Sequence, residues 1–252
     1  MGYVALDGLA WVTACTWDQA PHLDEQTKED LFRALPPHQR DARSKGIPSL
    51  GSGAIYQIPE EDFIVNDFEI PEHWPRAYGL DVGSKTAAIW GARDGDNGVT
   101  YVFSEHFAAN AIPEVHATAI KSRGAEIPGV IDPAARGRSQ IDGQSLIDLY
   151  RVAGLDILPA DNKVHAGIYK AWQGLVNGKI KVFRSLSFLR AEYRMYRRDE
   201  KGNIVKQNDH MMDAWRYLIM SGMDRATVPG PKSTNKYIPW AGNNQSFNGW
   251  QA

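Results

Sequence analysis

The sequence predicts a mixed α/β fold in which three antiparallel strands are followed by parallel ones, with helices flanking the sheet. Two observations carry this. Three short strand-like segments, 77–81, 86–93 and 99–107, are separated by the tight-turn sequences Val82-Gly83-Ser84 and Gly95-Asp96-Asn97-Gly98. Small and polar breaks between apolar runs are the chemistry of hairpin turns. After residue 112 the pattern changes to an alternation of helical and short apolar segments, which adds parallel members to a sheet.

In order along the chain, residues 1–75 read as a loose linker segment. It holds a short apolar start, a helix over 24–35 capped by Asp24 and stopped by Pro36-Pro37, and a Gly/Ser/Pro stretch over 46–53. The compact unit spans 76–225. Beyond its three strands it is expected to hold helices over 112–123, 144–153, 164–177, 185–195 and 209–224, with strands over 129–132, 156–158 and 180–183. In the last helix Met212, Trp215, Tyr217, Leu218 and Ile219 cluster on one side. Residues 226–252, rich in Gly, Asn, Ser and Pro, lack periodicity and read as a flexible tail.

Composition narrows the function classes. With 252 residues, 43% of them hydrophobic and 23% charged, the chain has material for a packed core and is neither fibrous nor disordered. No apolar run reaches membrane-spanning length and no signal peptide stands at the start, so a soluble, non-secreted protein is expected. A lone cysteine, Cys15, excludes an internal disulfide and a cysteine-based metal cluster. Charge is unevenly spread: residues 1–119 carry 8 Lys/Arg against 18 Asp/Glu, and residues 120–225 carry 18 against 12. The basic half suits a polyanionic partner, although a solvated surface explains it equally well.

Three carboxylates stand at conspicuous strand or helix positions. Asp81 ends the run Tyr78-Gly79-Leu80 at a turn, and Asp132 ends Gly129-Val130-Ile131 before Pro133. Carboxyl ends of strands in open α/β sheets are where ligands bind. Asp213 lies in the last helix, four residues after Asp209, so the two can share a face. Any one of these is explained as a turn or helix cap, Asp209 especially. Three converging carboxylates instead repel one another unless cations neutralise them. Magnesium or manganese held by oxygen ligands, with a phosphate filling the remaining positions, is the usual device for phosphodiester chemistry.

The ordered set Gly79-Leu80-Asp81-Val82-Gly83, a hairpin, Val130-Ile131-Asp132-Pro133, and Asn208-Asp209-His210 leading into Asp213-Ala214-Trp215-Arg216-Tyr217 resembles the ribonuclease-H-like nuclease domain of the large terminase subunit of tailed bacteriophages. The stretch 41–56 resembles the linker between the packaging ATPase and the nuclease in such proteins, and the hairpin 196–206 is similar to theirs. The resemblance implies a ribonuclease-H-like fold and an endonuclease that cuts concatemeric double-stranded viral DNA during packaging. It further implies two Mg²⁺ or Mn²⁺ ions on Asp81, Asp132 and Asp213, with water as nucleophile. Asp209, His210 and Lys85 are candidate helpers. The implied partners are the terminase ATPase domain, the small terminase subunit and the portal, in the host cell cytoplasm and with no membrane. No Gly-x-x-x-x-Gly-Lys-Ser/Thr occurs, since the 79–86 loop has the wrong spacing, so ATP hydrolysis is not expected of this chain.

Arg136 and Arg138, just after Asp132, and the hairpin residues Arg197, Arg198 and Lys201 are the expected DNA contacts, with Lys179, Lys181, Arg184 and Lys206 extending the track. Trp172, Trp215, Tyr193, Tyr196 and Tyr217 read as core, and His106 and His116 as isolated. The alternatives are a Holliday-junction-resolvase-like nuclease and a catalytically idle DNA-binding or motor-docking module.

Overall fold

The computed structural model describes residues 3–6, 10–13, 16–34, 44, 53–138, 143–199 and 201–230. Strands β1 (Tyr3–Leu6) and β2 (Ala10–Thr13) form an antiparallel pair. Helix α1 (Glu25–Ala34) follows. Asp24 starts it: its Oδ1 accepts the Thr27 amide at 2.7 Å, satisfying a donor that every helix start leaves unpaired. Cys15, the stretch 45–52 and the tail beyond Gly230 lie outside the described residues.

Residues that alternate between two apolar environments build the central sheet. Its strands are β3 (Ile64–Val65), β4 (Arg76–Asp81), β5 (Lys85–Arg93), β6 (Thr100–Ala109), β7 (Gly129–Ile131), β8 (Ile157–Pro159) and β9 (Ile180–Phe183). They stand in the order β3-β9-β6-β5-β4-β7-β8. The β4-β5-β6 neighbours are antiparallel, whereas β4-β7, β7-β8, β6-β9 and β3-β9 are parallel, which is the mixed sheet expected.

Side chains of β4 and β5 point alternately to two helical layers. Tyr78, Leu80, Ala88 and Trp90 pack with Ala117 and Ile120 of α2 (Pro113–Lys121) and Ile147 and Tyr150 of α3 (Leu146–Val152). On the other face Ala77, Ala87 and Ile89 meet α4 (Val164–Val176), α5 (Ser187–Met195) and α6 (His210–Tyr217) through Ala171, Leu189, Tyr193, Met212 and Trp215. That face is built of small residues where α6 crosses. A Cβ on Gly79 would lie 2.2 Å from the Ala214 carbonyl oxygen, so only glycine admits the helix backbone so close to the strand.

Four expectations are corrected. The linker does not run to residue 75. Tyr56, Ile58, Phe63, Ile70 and Trp74 are buried in the core of the sheet, and Ile64 pairs with Val182. Glu60 also binds Arg190 and Arg194 of α5. The packed unit therefore begins near Gly53, whose carbonyl accepts the Arg198 amide at 2.8 Å. The helix expected over 209–224 is α-helical only to Tyr217, then widens into a π-helical turn, Leu218–Gly222, and closes as a 3₁₀ turn, Met223–Arg225. Trp172 is not core: it lies exposed on α4, stacked on Tyr169 at 5.9 Å, while Trp215, Tyr193, Tyr196 and Tyr217 are buried. His106 and His116 are not isolated, because β6 and α2 bring His106 Nε2 within 3.1 Å of His116 Nδ1.

Candidate active site

Parallel pairing of β4 with β7 aligns Leu80 with Ile131, and the Asp132 amide continues the ladder by donating to the Leu80 carbonyl at 2.9 Å. Asp81 and Asp132 are thereby neighbours at the carboxyl ends of adjacent strands. Asp132 also starts the 3₁₀ turn Pro133–Arg136, its Oδ1 accepting the Ala134 amide at 3.0 Å. The cap explanation thus holds for Asp132, and the same carboxylate stands beside Asp81. Across the sheet, pairing places Asp81 opposite Ala87 and Ala87 opposite Phe107, so the row ends in an aromatic ring on the face that α6 covers. Lys85 lies with its Nζ 5.8 Å from the centre of that ring.

Helix α6 brings the remaining groups. His210 Nδ1 lies 2.9 Å from Asp81 Oδ2, and the His210 ring stands 6.3 Å from that of Phe107. Asp213, one turn later, is bracketed by cations: Arg216 donates to Oδ1 at 2.9 Å and Lys206 to Oδ2 at 3.2 Å. Lys206 also lies 3.2 Å from Asp209 Oδ2. Arg216 is buried and donates onward to Asn162 Oδ1 at 2.7 Å. Lys206 is therefore directed into the acidic cluster and not along a DNA track.

The electrostatics follow from this crowding. Burial pushes the Asp81 carboxyl up to about 6, the negative charges of Asp213 and Asp132 add to that, and the hydrogen bond to His210 opposes it. The same bond to Asp81 raises His210. Burial lowers Lys206, but the carboxylates of Asp213 and Asp209 outweigh it and the net shift is upward.

A divalent cation fits this donor set by its chemistry. The candidate groups are hard carboxylate oxygens, and burial of Asp81 disfavours its charged form. As they stand, the described residues contain no group of three or more His, Cys, Asp or Glu side chains at metal-ligating spacing, and both Asp213 oxygens are engaged by basic side chains.

The expected DNA-contact residues are dispersed. Arg136 and Arg138 are exposed just beyond Asp132. Arg197 and Lys201 are exposed on the hairpin, whose turn is held by Asp199 accepting the Lys201 and Asn203 amides, while Arg198 donates to the Gly202 carbonyl at 2.9 Å. Lys179, Lys181 and Arg184 are tied to Asn97, Asp62 and Asn66. Two features escaped the sequence. Asp209 occupies the N-cap of α6 without a side-chain capping bond, and Glu192 of α5 supplies that bond instead. The sequence around Glu192 gives no signal of that bond, because its partners lie 19 and 20 residues further along the chain.

A family model described as "Terminase RNaseH-like domain" matches residues 77–221. The chain belongs to this terminase family. It is 33% identical over 217 residues to the large terminase subunits of Enterobacteria phage LP7 and Salmonella phage P22. Those alignments cover 80% of this chain but 44% and 42% of theirs, so the chain spans less than half the length of the curated relatives it matches. Among solved structures, the P22 large terminase nuclease domain superposes with a TM-score of 0.65 at 31% identity, over 71% of this chain and 96% of that one. The large terminase of a thermophilic bacteriophage, solved in complex with ADP, shares the fold, with a TM-score of 0.58 at 24% identity over 81% of this chain and 53% of its own.

Proposed function

We propose that this terminase-family chain is a metal-dependent endonuclease that cuts concatemeric double-stranded DNA during genome packaging. The observation that carries the proposal is the in-register pairing that sets Asp81 beside Asp132 at the carboxyl ends of β4 and β7, under a helix that delivers Asp213 and His210. The similarity to large terminase subunits and to the P22 nuclease domain supports it. Asp81, Asp132 and Asp213 would hold two Mg²⁺ or Mn²⁺ ions, with Asp209 as an auxiliary carboxylate. When bound, such ions supply Lewis acidity and an activated water. His210 orients the Asp81 carboxylate through its Nδ1 contact, and Lys206 and Arg216 hold the Asp213 carboxylate in place. Arg136, Arg138, Arg197, Arg198 and Lys201 would contact the phosphate backbone, giving salt-sensitive binding with little sequence preference.

The functional body would comprise residues 53–230, joined through the preceding stretch to a packaging ATPase domain. The small terminase subunit and the portal would be its partners in the host cytoplasm. A second proposal, a catalytically idle DNA-binding module, is favoured by one observation: both Asp213 oxygens are already neutralised by Lys206 and Arg216.

Cleavage of supercoiled plasmid with Mg²⁺, Mn²⁺ or EDTA decides between the two. Metal-dependent nicking or linearisation that is lost in D81A, D132A and D213A, each folded by circular dichroism, supports the nuclease. A folded wild type that binds DNA but leaves plasmid intact with either metal supports the idle module.

A further inference from the structure

Two helices near the site lack a capping bond from their own N-cap residue. Leu186 before α5 has no side chain that can accept, and Asp209 before α6 turns its carboxylate toward Lys206. In both cases a carboxylate from the preceding layer substitutes. Glu105 of β6 accepts the Phe188 and Leu189 amides at 3.0 and 2.9 Å, at the start of α5. Glu192 of α5 in turn accepts the Met211 amide at 2.7 Å and the Met212 amide at 3.4 Å, at the start of α6. The result is a chain of anchors running from the sheet through α5 to α6 and back to the sheet at Asp81. Glu192 is the buried link, 6% exposed, and the amides it holds belong to the residues directly after His210.

We propose that Glu192 is a positioning residue for the acidic site: by fixing the first turn of α6 from below, it holds His210 against Asp81 and sets the direction in which Asp213 leaves the helix. It touches none of the expected ligands and acts through the helix backbone. The geometry needs this. The segment 199–209 that leads into α6 reaches the body through Ile204, which packs on the core and bridges Arg198, and past it through Val205 to Arg197 and Lys206 to Asp209 and Asp213. Asn208, one residue before the N-cap Asp209, takes a positive φ of 50°, the left-handed region that asparagine tolerates. An accepting side-chain oxygen is what the unpaired amides of a helix start require, and Glu192 supplies it where the N-cap residue does not. This role rests on the nuclease proposal for its effect on cutting, and on the structure alone for its effect on His210.

The test compares wild type, E192Q and E192A in Mn²⁺-dependent plasmid nicking, DNA affinity by anisotropy, amide hydrogen exchange at Met211 and Met212, and the ¹⁵N resonance of His210 Nδ1. Glutamine keeps an acceptor oxygen, so E192Q is expected to retain the protected amides and most of the rate. E192A is expected to lose cutting about 10- to 100-fold, the scale of an ångström-level misplacement, with DNA affinity within about twofold. Its Met211 and Met212 amides should exchange at least about tenfold faster, and the His210 resonance should move toward that of an unbonded ring. Wild-type cutting by E192A, or an unchanged His210 resonance in it, overturns the proposal. So does an E192Q that cuts as poorly as E192A while its amides stay protected, because charge and not position would then matter. If E192A fails to fold, E192Q decides: protected Met211 and Met212 amides with an unmoved His210 resonance support the anchor, and a His210 resonance that moves while those amides stay protected refutes it. If wild type does not cut at all, the nuclease proposal fails separately, and the exchange and His210 measurements still decide the anchor.

Discussion

Replacing Gly79 with alanine is expected to damage stability and site together. The added Cβ would lie 2.2 Å from the Ala214 carbonyl oxygen, 2.8 Å from the Leu218 amide nitrogen and 3.1 Å from the Leu218 Cβ. Ordinary contacts begin at roughly 3.5 Å, so α6 must retreat from β4 by about 1 Å. The two nearest atoms are backbone, which no rotamer change relieves. Overpacking of this kind costs about 1–3 kcal/mol, and the upper end applies where backbone must move. In a domain of this size about 3 kcal/mol lowers the melting temperature by about 6–12 °C. Helix α6 carries His210 and Asp213, so its retreat draws both away from Asp81 and should cost up to about 100-fold in cutting. Calorimetric melting and Mn²⁺-dependent plasmid nicking measure the two effects. G83A serves as the stability control, because its Cβ would meet only the Lys85 carbonyl oxygen at 3.7 Å. A G79A protein that melts within about 2 °C of wild type and cuts normally would show that the contact of α6 with β4 does not set the site.

Burial pushes Glu192 from 4.5 up to about 7, so between those values the folded state keeps a proton that the unfolded chain has released. Its contribution is present below pH 4.5 and lost as pH rises through 7, a swing on the order of 3 kcal/mol that E192Q should remove. Urea unfolding of the two proteins across pH 4.5–8 checks this, and parallel curves would refute it. E60A leaves Arg190 and Arg194 without their carboxylate and should cost about 2 kcal/mol, with residues 53–75 becoming the first site of limited proteolysis. R136A and R138A should each reduce the salt dependence of DNA binding by about one counterion and leave the melting temperature unchanged. An unaltered salt slope would place the DNA elsewhere.

Legibility in the sequence followed the range of the interaction that fixes each feature. Where a local pattern suffices, the element was readable: β9 falls on the expected 180–183, α4 within one residue of expectation, and the Asp24 cap where it was placed. Asp81 and Asp132 were visible because each ends an apolar run at a turn, and the β4–β7 register then makes them neighbours. Features set by distant partners were not readable. Strand β3 is two residues long and exists only because β9 offers it an edge. The contact between His106 and His116 depends on how α2 packs against β6, and Trp172 faces outward because α4 buries Ala171 and Leu175 instead. Lys206 looked like part of a basic track until the hairpin turned it toward Asp209 and Asp213. Glu192 resembled any solvent-facing helical glutamate, since nothing in its neighbourhood in sequence announces the amides of Met211 and Met212.

The addition of β3 to the sheet decides where this protein can be cut by an experimenter. A fragment starting at residue 76 would strip the cover from Val182 and Phe183 and leave β9 as a bare edge, and Tyr193 would lose its aromatic partners Tyr56 and Phe63. An uncovered apolar edge recruits strands from other molecules. Such a fragment should aggregate on expression, whereas one beginning at Gly53 keeps its own edge strand and should stay dispersed.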